Sequence, residues 1–193
     1  MLNIIIFGAP GSGKGTQSER IIEKYGLHHI STGEILRTEI ENKTALGLIA
    51  EEYISQGHLV PDQLIIDMLA DILDKSNNKK GYIFDGFPRT IAQAKALDKL
   101  LKSRNDSISA VFYLSVEEED LIQRLLKRGA ESGRSDDNME TIRERLEVYK
   151  KQTEPLKEYY KKKGQLFKIT GNGIIENVFE NISNEMNRLL TID

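Results

Sequence analysis

A short apolar run, Leu2 to Phe7, breaks into Gly8-Ala9-Pro10-Gly11-Ser12-Gly13-Lys14-Gly15-Thr16, and a segment of helical spacing carrying Ile21 and Ile22 follows at once. A strand, a glycine-rich loop and a helix in that order narrow the possible folds sharply. Glycines let successive backbone amides turn inward where a Cβ would obstruct, and the helix adds the positive end of its dipole. Such a loop cradles a polyphosphate, and the lysine inside it reaches the β- and γ-phosphates. In the general pattern GxxxxGK[ST] a hydroxyl follows the lysine. Here Gly15 stands there and Thr16 supplies the hydroxyl one residue later. A plain glycine turn has no use for Lys14 at this position, so the loop points to a nucleotide. About a second substrate it says nothing.

The remaining chain repeats the same rhythm. Short β-branched or aromatic runs at His28 to Ile30, Tyr82 to Phe84, Ala110 to Leu114 and Leu166 to Ile169 alternate with helix-like segments. Several are apolar on both faces, as strands of a helix-covered parallel sheet must be. With Leu2 to Phe7 they predict five parallel strands in a doubly wound α/β sheet. Ser31 with Glu34 and Ser115 with Glu118 fit capping boxes. Asp62, after Pro61, begins an amphipathic stripe of Leu64, Ile65, Met68, Leu69 and Ile72. Asp137 is placed to cap a long helical segment from Met139 to Tyr160, which Pro155 should kink or interrupt. Two stretches break the rhythm. Residues 31 to 60 read as two short helices joined near Lys43 and Thr44, and Gly129 to Gly133 reads as a loop between helices. Both are expected to be movable flaps.

Composition excludes several classes. The chain has 193 residues, 39% of them hydrophobic and 30% charged, enough for one cored domain with modest excursions. Its net charge of -3 offers nucleic acid no overall attraction, so any anion site must be a local concentration of cations. There is no cysteine, which removes thiol chemistry and Cys-based zinc sites. His28, His29 and His58 lack metalloprotease spacing, so no structural zinc is expected. No apolar run approaches the roughly 18 residues of a membrane span, and Leu2 to Phe7 is too short for a secretory signal. The chain reads as cytosolic.

Three further motifs suit a second nucleotide. Ser31-Thr32-Gly33-Glu34-Ile35-Leu36-Arg37 follows the second strand, and taken alone it is a capped helix with an exposed arginine. Asp85-Gly86-Phe87-Pro88-Arg89 follows the third strand at its carboxyl end, where open α/β sheets bind ligands. Asp85 can hold a Mg²⁺-bound water, or simply cap a turn. Arg89 offers a planar fork to phosphate oxygens, and Gln93 lies one helical turn further on. The loop GAPGSGKGTQ resembles that of the nucleoside monophosphate kinases, specifically the adenylate kinases, and the order of STGEILR, DGFPRT and Gln93 is similar to the same family. The resemblance covers Leu2 to about Leu190. It implies a P-loop NTPase-type core (residues 1–30, 61–128 and 136–193), a helical AMP-binding insert (31–60) and a short lid (129–135). It implies ATP at Gly11, Ser12, Gly13, Lys14, Gly15, Thr16, Arg128 and Gly173. AMP is implied at Thr32, Arg37, His58, Leu59, Val60, Gly86, Phe87, Pro88, Arg89, Gln93, Arg134 and Arg145. A side-chain amide such as Gln93 donates and accepts together, matching the adenine Watson–Crick edge. Kinases of UMP or CMP share the scaffold and are the nearest alternative.

Arg124 and Arg128, four apart, are followed by Arg134, Arg143 and Arg145. Arginines among many glutamates usually form a solvated surface. Two polyanions brought together, however, need cations at the transferring group. By the resemblance, Arg128 packs on the ATP base, Arg134 and Arg145 meet phosphates, and Arg124 and Arg143 support transfer. Lys14, Arg89, Arg124, Arg134 and Arg145 form the catalytic set. Only Gly129 to Gly133 separates Arg128 from Arg134, as in short-lid members of the family. The implied reaction is MgATP + AMP ⇌ 2 ADP in a cytoplasmic monomer, with Mg²⁺ as cofactor, no direct protein ligand to it, and neither nucleic acid nor membrane as partner.

Overall fold

β1 (Ile4–Gly8) is buried along its whole length and lies at the centre of the sheet. The computed structural model describes residues 1–76, 78 and 80–191, so residues 77, 79, 192 and 193 of the expected core lie outside the described residues. β2 (His28–Ser31), β3 (Tyr82–Asp85), β4 (Ala110–Ser115) and β5 (Leu166–Thr170) join β1 in the order β2-β3-β1-β4-β5, every pair parallel. The five runs read from the sequence are these five strands. Because β3 and β4 flank β1, the loops that leave β1 and β3 open side by side at the carboxyl edge. That edge is where a doubly wound sheet takes its ligand.

The alternation along β1 divides the core. Ile5 and Phe7 pack on one face with Leu69 of α4 (Asp62–Lys75), Leu97 of α5 (Ile91–Lys102) and Tyr160 of α8 (Leu156–Lys162). Ile4 and Ile6 pack on the other with Ile21 of α1 (Lys14–Tyr25) and Ile182 and Met186 of α9 (Ile175–Leu190). A third cluster, Leu121 and Leu125 of α6 (Glu118–Ser132) with Ile142 and Leu146 of α7 (Met139–Val148), holds the arginine-bearing helices together.

The stretch from 31 to 60 forms the expected helix pair, α2 (Thr32–Glu41) and α3 (Ala45–Ser55). Ser31 caps α2 by accepting from the Glu34 amide, and Thr44 caps α3 by accepting from Gly47. The pair touches closely: a Cβ on Gly47 would fall 2.0 Å from the Glu39 carbonyl oxygen. Backbone cannot retreat as a flexible side chain can. Gly47→Ala is therefore expected to destabilise the protein by about 3 kcal/mol, read from urea unfolding. A change within about 0.5 kcal/mol, the range of an ordinary surface substitution, would mean that the two helices do not meet this way.

Three expectations meet the structure differently, and a fourth is met. β4 continues through Ser115, which pairs with Thr170, so Glu117 rather than Ser115 stands at the cap of α6. Gly129 to Ser132 are not a loop but the last turn of α6, and only Gly133 leaves the helix, in a left-handed conformation. Gly129 is there for space: a Cβ would lie 2.7 Å from the Asp137 carbonyl oxygen, where the returning chain crosses the helix. Asn138, not Asp137, caps α7 by accepting from the Thr141 amide. The long segment to Tyr160 is indeed interrupted, by a π-helical turn at Tyr149–Thr153 and then by Pro155, which stands at the cap of α8.

Candidate active site

In the loop between β1 and α1 the Ser12 amide donates to the Ala9 carbonyl oxygen, while those of Gly11, Gly13, Lys14, Gly15 and Thr16 have no acceptor among the described residues. α1 starts at Lys14 after Gly13, with no side-chain cap and no acidic residue in its first turn. Orphan donors and an uncompensated dipole together make an anion site. Gly11, Gly13, Lys14, Gly15 and Thr16 line a cavity of about 540 Å³, while the Ser12 side chain is buried beneath the loop. Lys14 folds back over its own loop, donating to the carbonyl oxygens of Gly8 (2.9 Å) and Ala9 (3.0 Å). Burial, with Arg89, Arg145 and Arg128 nearby, pushes its ammonium down to about 8, against the opposing pull of Asp85.

The walls of this cavity carry seven cationic side chains, Lys14, Arg37, Arg89, Arg124, Arg128, Arg134 and Arg145, against three carboxylates, Glu19, Glu34 and Asp85. A surplus of four positive charges stands in a chain whose net charge is -3. A low-dielectric cleft of one sign concentrates counter-ions of the other. Burial lowers the affinity of Arg37, Arg89 and Arg134 for their protons. Neighbouring arginines add to the effect: Arg145 on Arg89, Arg128 on Arg134, and Arg128 and Arg145 on Arg37.

What holds such a repelling group in place is a pair of acids. Asp137 accepts two bonds from Arg128, at 2.6 and 2.8 Å, and one from Arg145 at 2.7 Å. Arg145 also reaches the Asp136 carboxylate at 2.9 Å. Burial alone would raise the Asp137 carboxyl, but the two guanidiniums overrule it and hold it below the usual range. Asp137 thus anchors two arginines, which is why it is absent from the cap of α7. The sequence reading missed this role. The acidic pair Asp136-Asp137 in an arginine-rich stretch was the available signal.

A second, smaller cavity of about 80 Å³ lies between α2, the end of α3 and the loop after β3. Thr32, Leu36, Arg37, Ile54, His58, Leu59, Val60, Ile65, Gly86, Arg89 and Gln93 are among its lining residues. The Gly86 carbonyl oxygen accepts from both the Thr32 hydroxyl and Arg89 Nε, each at 2.8 Å, and so ties α2 to this loop. Gln93 is buried, its Oε1 accepting from the Arg89 amide at 2.7 Å. Arg37, Arg89 and Arg145 line both cavities and stand at their junction.

Not every residue singled out in the sequence comes to these walls. The Phe87 side chain is buried in the core beneath the sheet edge. Gly173 is exposed and lines neither cavity. Arg143 is also exposed and lines neither, because two residues from Arg145 is more than half a turn around α7. Tyr149 and Thr153, which the sequence did not single out, line the larger cavity from the π-helical turn.

Asp85 ends β3 inside the larger cavity, mostly buried, receiving the Ser18 hydroxyl at 3.4 Å with His29 Nε2 3.7 Å away. Among the described residues no cluster of three or more histidines and carboxylates is arranged to hold a metal ion. One carboxylate beside a phosphate loop suits Mg²⁺, which keeps several waters and takes its other oxygens from substrate phosphates.

With this geometry in view, the similarity to known proteins is informative. The family model described as "Adenylate kinase" matches residues 6–165. The chain is 65% identical over 189 residues to a protein named "Adenylate kinase" from Azobacteroides pseudotrichonymphae genomovar. CFP2, covering 98% of this chain and 99% of that one. It is 59% identical over 189 residues to the protein of that name from Bacteroides fragilis, covering 98% and 100%. A third, from Porphyromonas gingivalis, is 54% identical over 178 residues, 92% of each chain.

Proposed function

This chain belongs to the adenylate kinase family, and from that we propose how its two cavities divide the reaction MgATP + AMP ⇌ 2 ADP. The observation that carries the division is the junction. Arg37, Arg89 and Arg145 belong to both cavities, where two phosphate chains brought end to end repel each other most. The larger cavity takes the donor nucleotide. Its triphosphate lies along the amides of Gly11 and of residues 13–16, and Lys14 exchanges its loop carbonyls for phosphate oxygens. The smaller cavity takes the acceptor, with its base toward Gln93, Leu36, Ile54 and Ile65 and its phosphate toward Arg37 and Arg89.

The chemistry needs little beyond this. An AMP phosphate oxygen is already anionic at neutral pH, so no general base is required. Lys14 and the arginines offset the charge that builds up between donor and acceptor, and the clamp fixes in-line geometry. Asp85 is the residue that would hold Mg²⁺ through water; when bound, the ion screens the donor phosphates. Insert (31–60) and short lid (129–135) are the parts that close over the substrates, and closure excludes the water that would otherwise compete as acceptor. In this reading the protein works as a cytoplasmic monomer on ATP, AMP and ADP. Its overall negative charge supports a reaction without nucleic acid.

Comparing AMP, CMP, UMP and GMP as acceptors, with ATP as donor, tests the assignment. AMP is expected to lead in kcat/KM by at least about a hundredfold, the discrimination of a site whose polar groups are left unpaired by the wrong base. Equal or faster use of CMP or UMP would move the acceptor cavity to another base.

A further inference from the structure

Gln93 can recognise a base only if its amide faces one way. Oxygen and nitrogen must be held in a fixed order, because the adenine edge pairs an acceptor at N1 with a donor at N6. A 6-oxo purine presents a donor at N1 and an acceptor at O6, so a reversed amide would suit it instead. Two neighbours of opposite polarity surround the amide. The Arg89 backbone N–H, which only donates, meets Oε1 at 2.7 Å. The Asp62 carboxylate, which as an anion only accepts, meets Nε2 at 2.8 Å.

Asp62 is in turn held. It is the first residue of α4, half-buried, and its second oxygen receives the Thr90 hydroxyl at 2.8 Å. Thr90 caps α5 and accepts from the Gln93 backbone N–H at 3.1 Å, so the carboxylate, the cap and the glutamine form one closed ring of bonds. Among the described residues the Gln93 side chain then keeps one free N–H and one free lone pair, the number an adenine edge takes. Resting on the acceptor-site reading above, we propose that Asp62 is the positioning residue that sets the orientation of Gln93 and thereby the choice of adenine over 6-oxo purines. It touches no substrate itself. A Gln93 turned by half a rotation would set its oxygen against an oxygen of Asp62 and its N–H groups against the Arg89 N–H, and those two mismatches together hold the order.

The competing explanation is structural: an acid at the first position of a helix favours α4 through its dipole. Two substitutions separate the ideas. Asp62→Asn keeps an acceptor for Nε2 and can donate to Thr90, but loses the charge. Asp62→Glu keeps the charge and moves the acceptor. Positioning predicts that Asp62→Ala and Asp62→Glu each raise the KM for AMP about tenfold, the usual loss for one buried charged bond, with the KM for ATP unchanged. Both should narrow the preference for AMP over inosine 5′-monophosphate, its 6-oxo counterpart, by a similar factor. Asp62→Asn should recover both to within about threefold, the size of an ordinary residual perturbation.

The reverse order, Glu preserved and Asn impaired, would overturn the proposal in favour of helix electrostatics. Gln93→Ala serves as the control. If it leaves the KM for AMP unchanged, the acceptor-site reading itself fails. If it raises that KM while Asp62→Ala and Asp62→Glu do not, only the role of Asp62 fails. Should Asp62→Ala not fold, the Asn and Glu pair still decides.

Discussion

Lys14→Ala is expected to lower kcat by on the order of a thousandfold while leaving the fold intact, the scale of losing a principal charge-stabilising donor. The reason lies in what the side chain does before and after nucleotide arrives. Without nucleotide its ammonium sits over its own loop carbonyls, among arginines, with a proton affinity pushed down to about 8 by burial first and by those neighbours next. A polyphosphate reverses that environment. Proton affinity then rises, so ATP binding near pH 8 should take up about half a proton per site, as follows for a group half-titrated when free. Calorimetry of ATP binding in buffers of different ionisation enthalpy measures that uptake, and Lys14→Ala should abolish it.

The sign for stability follows from the same shift. The unfolded chain holds this proton up to the ordinary lysine value of 10.5, the folded one only to about 8. Between those limits the unfolded state binds more protons, so this group makes stability rise with pH. Below about pH 8 the charged lysine costs the folded state its full penalty, and removing it should not weaken the fold. Near wild-type ADP formation by Lys14→Ala would remove the larger cavity from the reaction.

Arg89→Ala should separate the two substrates. Its guanidinium stands where the cavities meet, tied by Nε to the Gly86 carbonyl, with its outer nitrogens unbonded among the described residues and able to fork onto phosphate. The kcat/KM for AMP is expected to fall by on the order of a thousandfold, combining a lost phosphate contact with lost stabilisation of the transferring group. The affinity for ATP alone, measured by calorimetry, should stay within about threefold, because the amides of the loop and the other cations remain. Loss of both to the same degree would contradict the assignment of Arg89 to the acceptor end.

Much of the molecule was legible before any coordinates. The inner strands announce themselves because a parallel strand covered on both faces must be apolar throughout, as Ile4 to Phe7 and Ala110 to Leu114 are, while the edge strands β2 and β5 carry polar and exposed residues and show themselves by the repeating rhythm of the chain. The helix pair from 31 to 60 was readable from the Ser31 cap and from the break near Lys43 and Thr44, and the structure adds that Thr44 itself caps the second helix. Less visible were boundaries set by partners distant in sequence. Ser115 looks like a cap until Thr170 is found paired beside it, and Gly129 looks like a loop until Asp137 crosses over it.

What the amino-acid order determined by itself was local: the strand, loop and helix that expose uncapped amides, the lysine among them, and the periodicities that build the sheet. Those depend on backbone propensities and on neighbours within a few residues. Tertiary structure alone decided which charges share space. It brought Arg37, Arg89 and Arg145, from three separate segments, to the junction of two cavities. It made Asp137 an anchor for Arg128 and Arg145, and set Asp62 against Gln93 across 31 residues of chain. Such pairings depend on distances through space, and sequence spacing does not encode them.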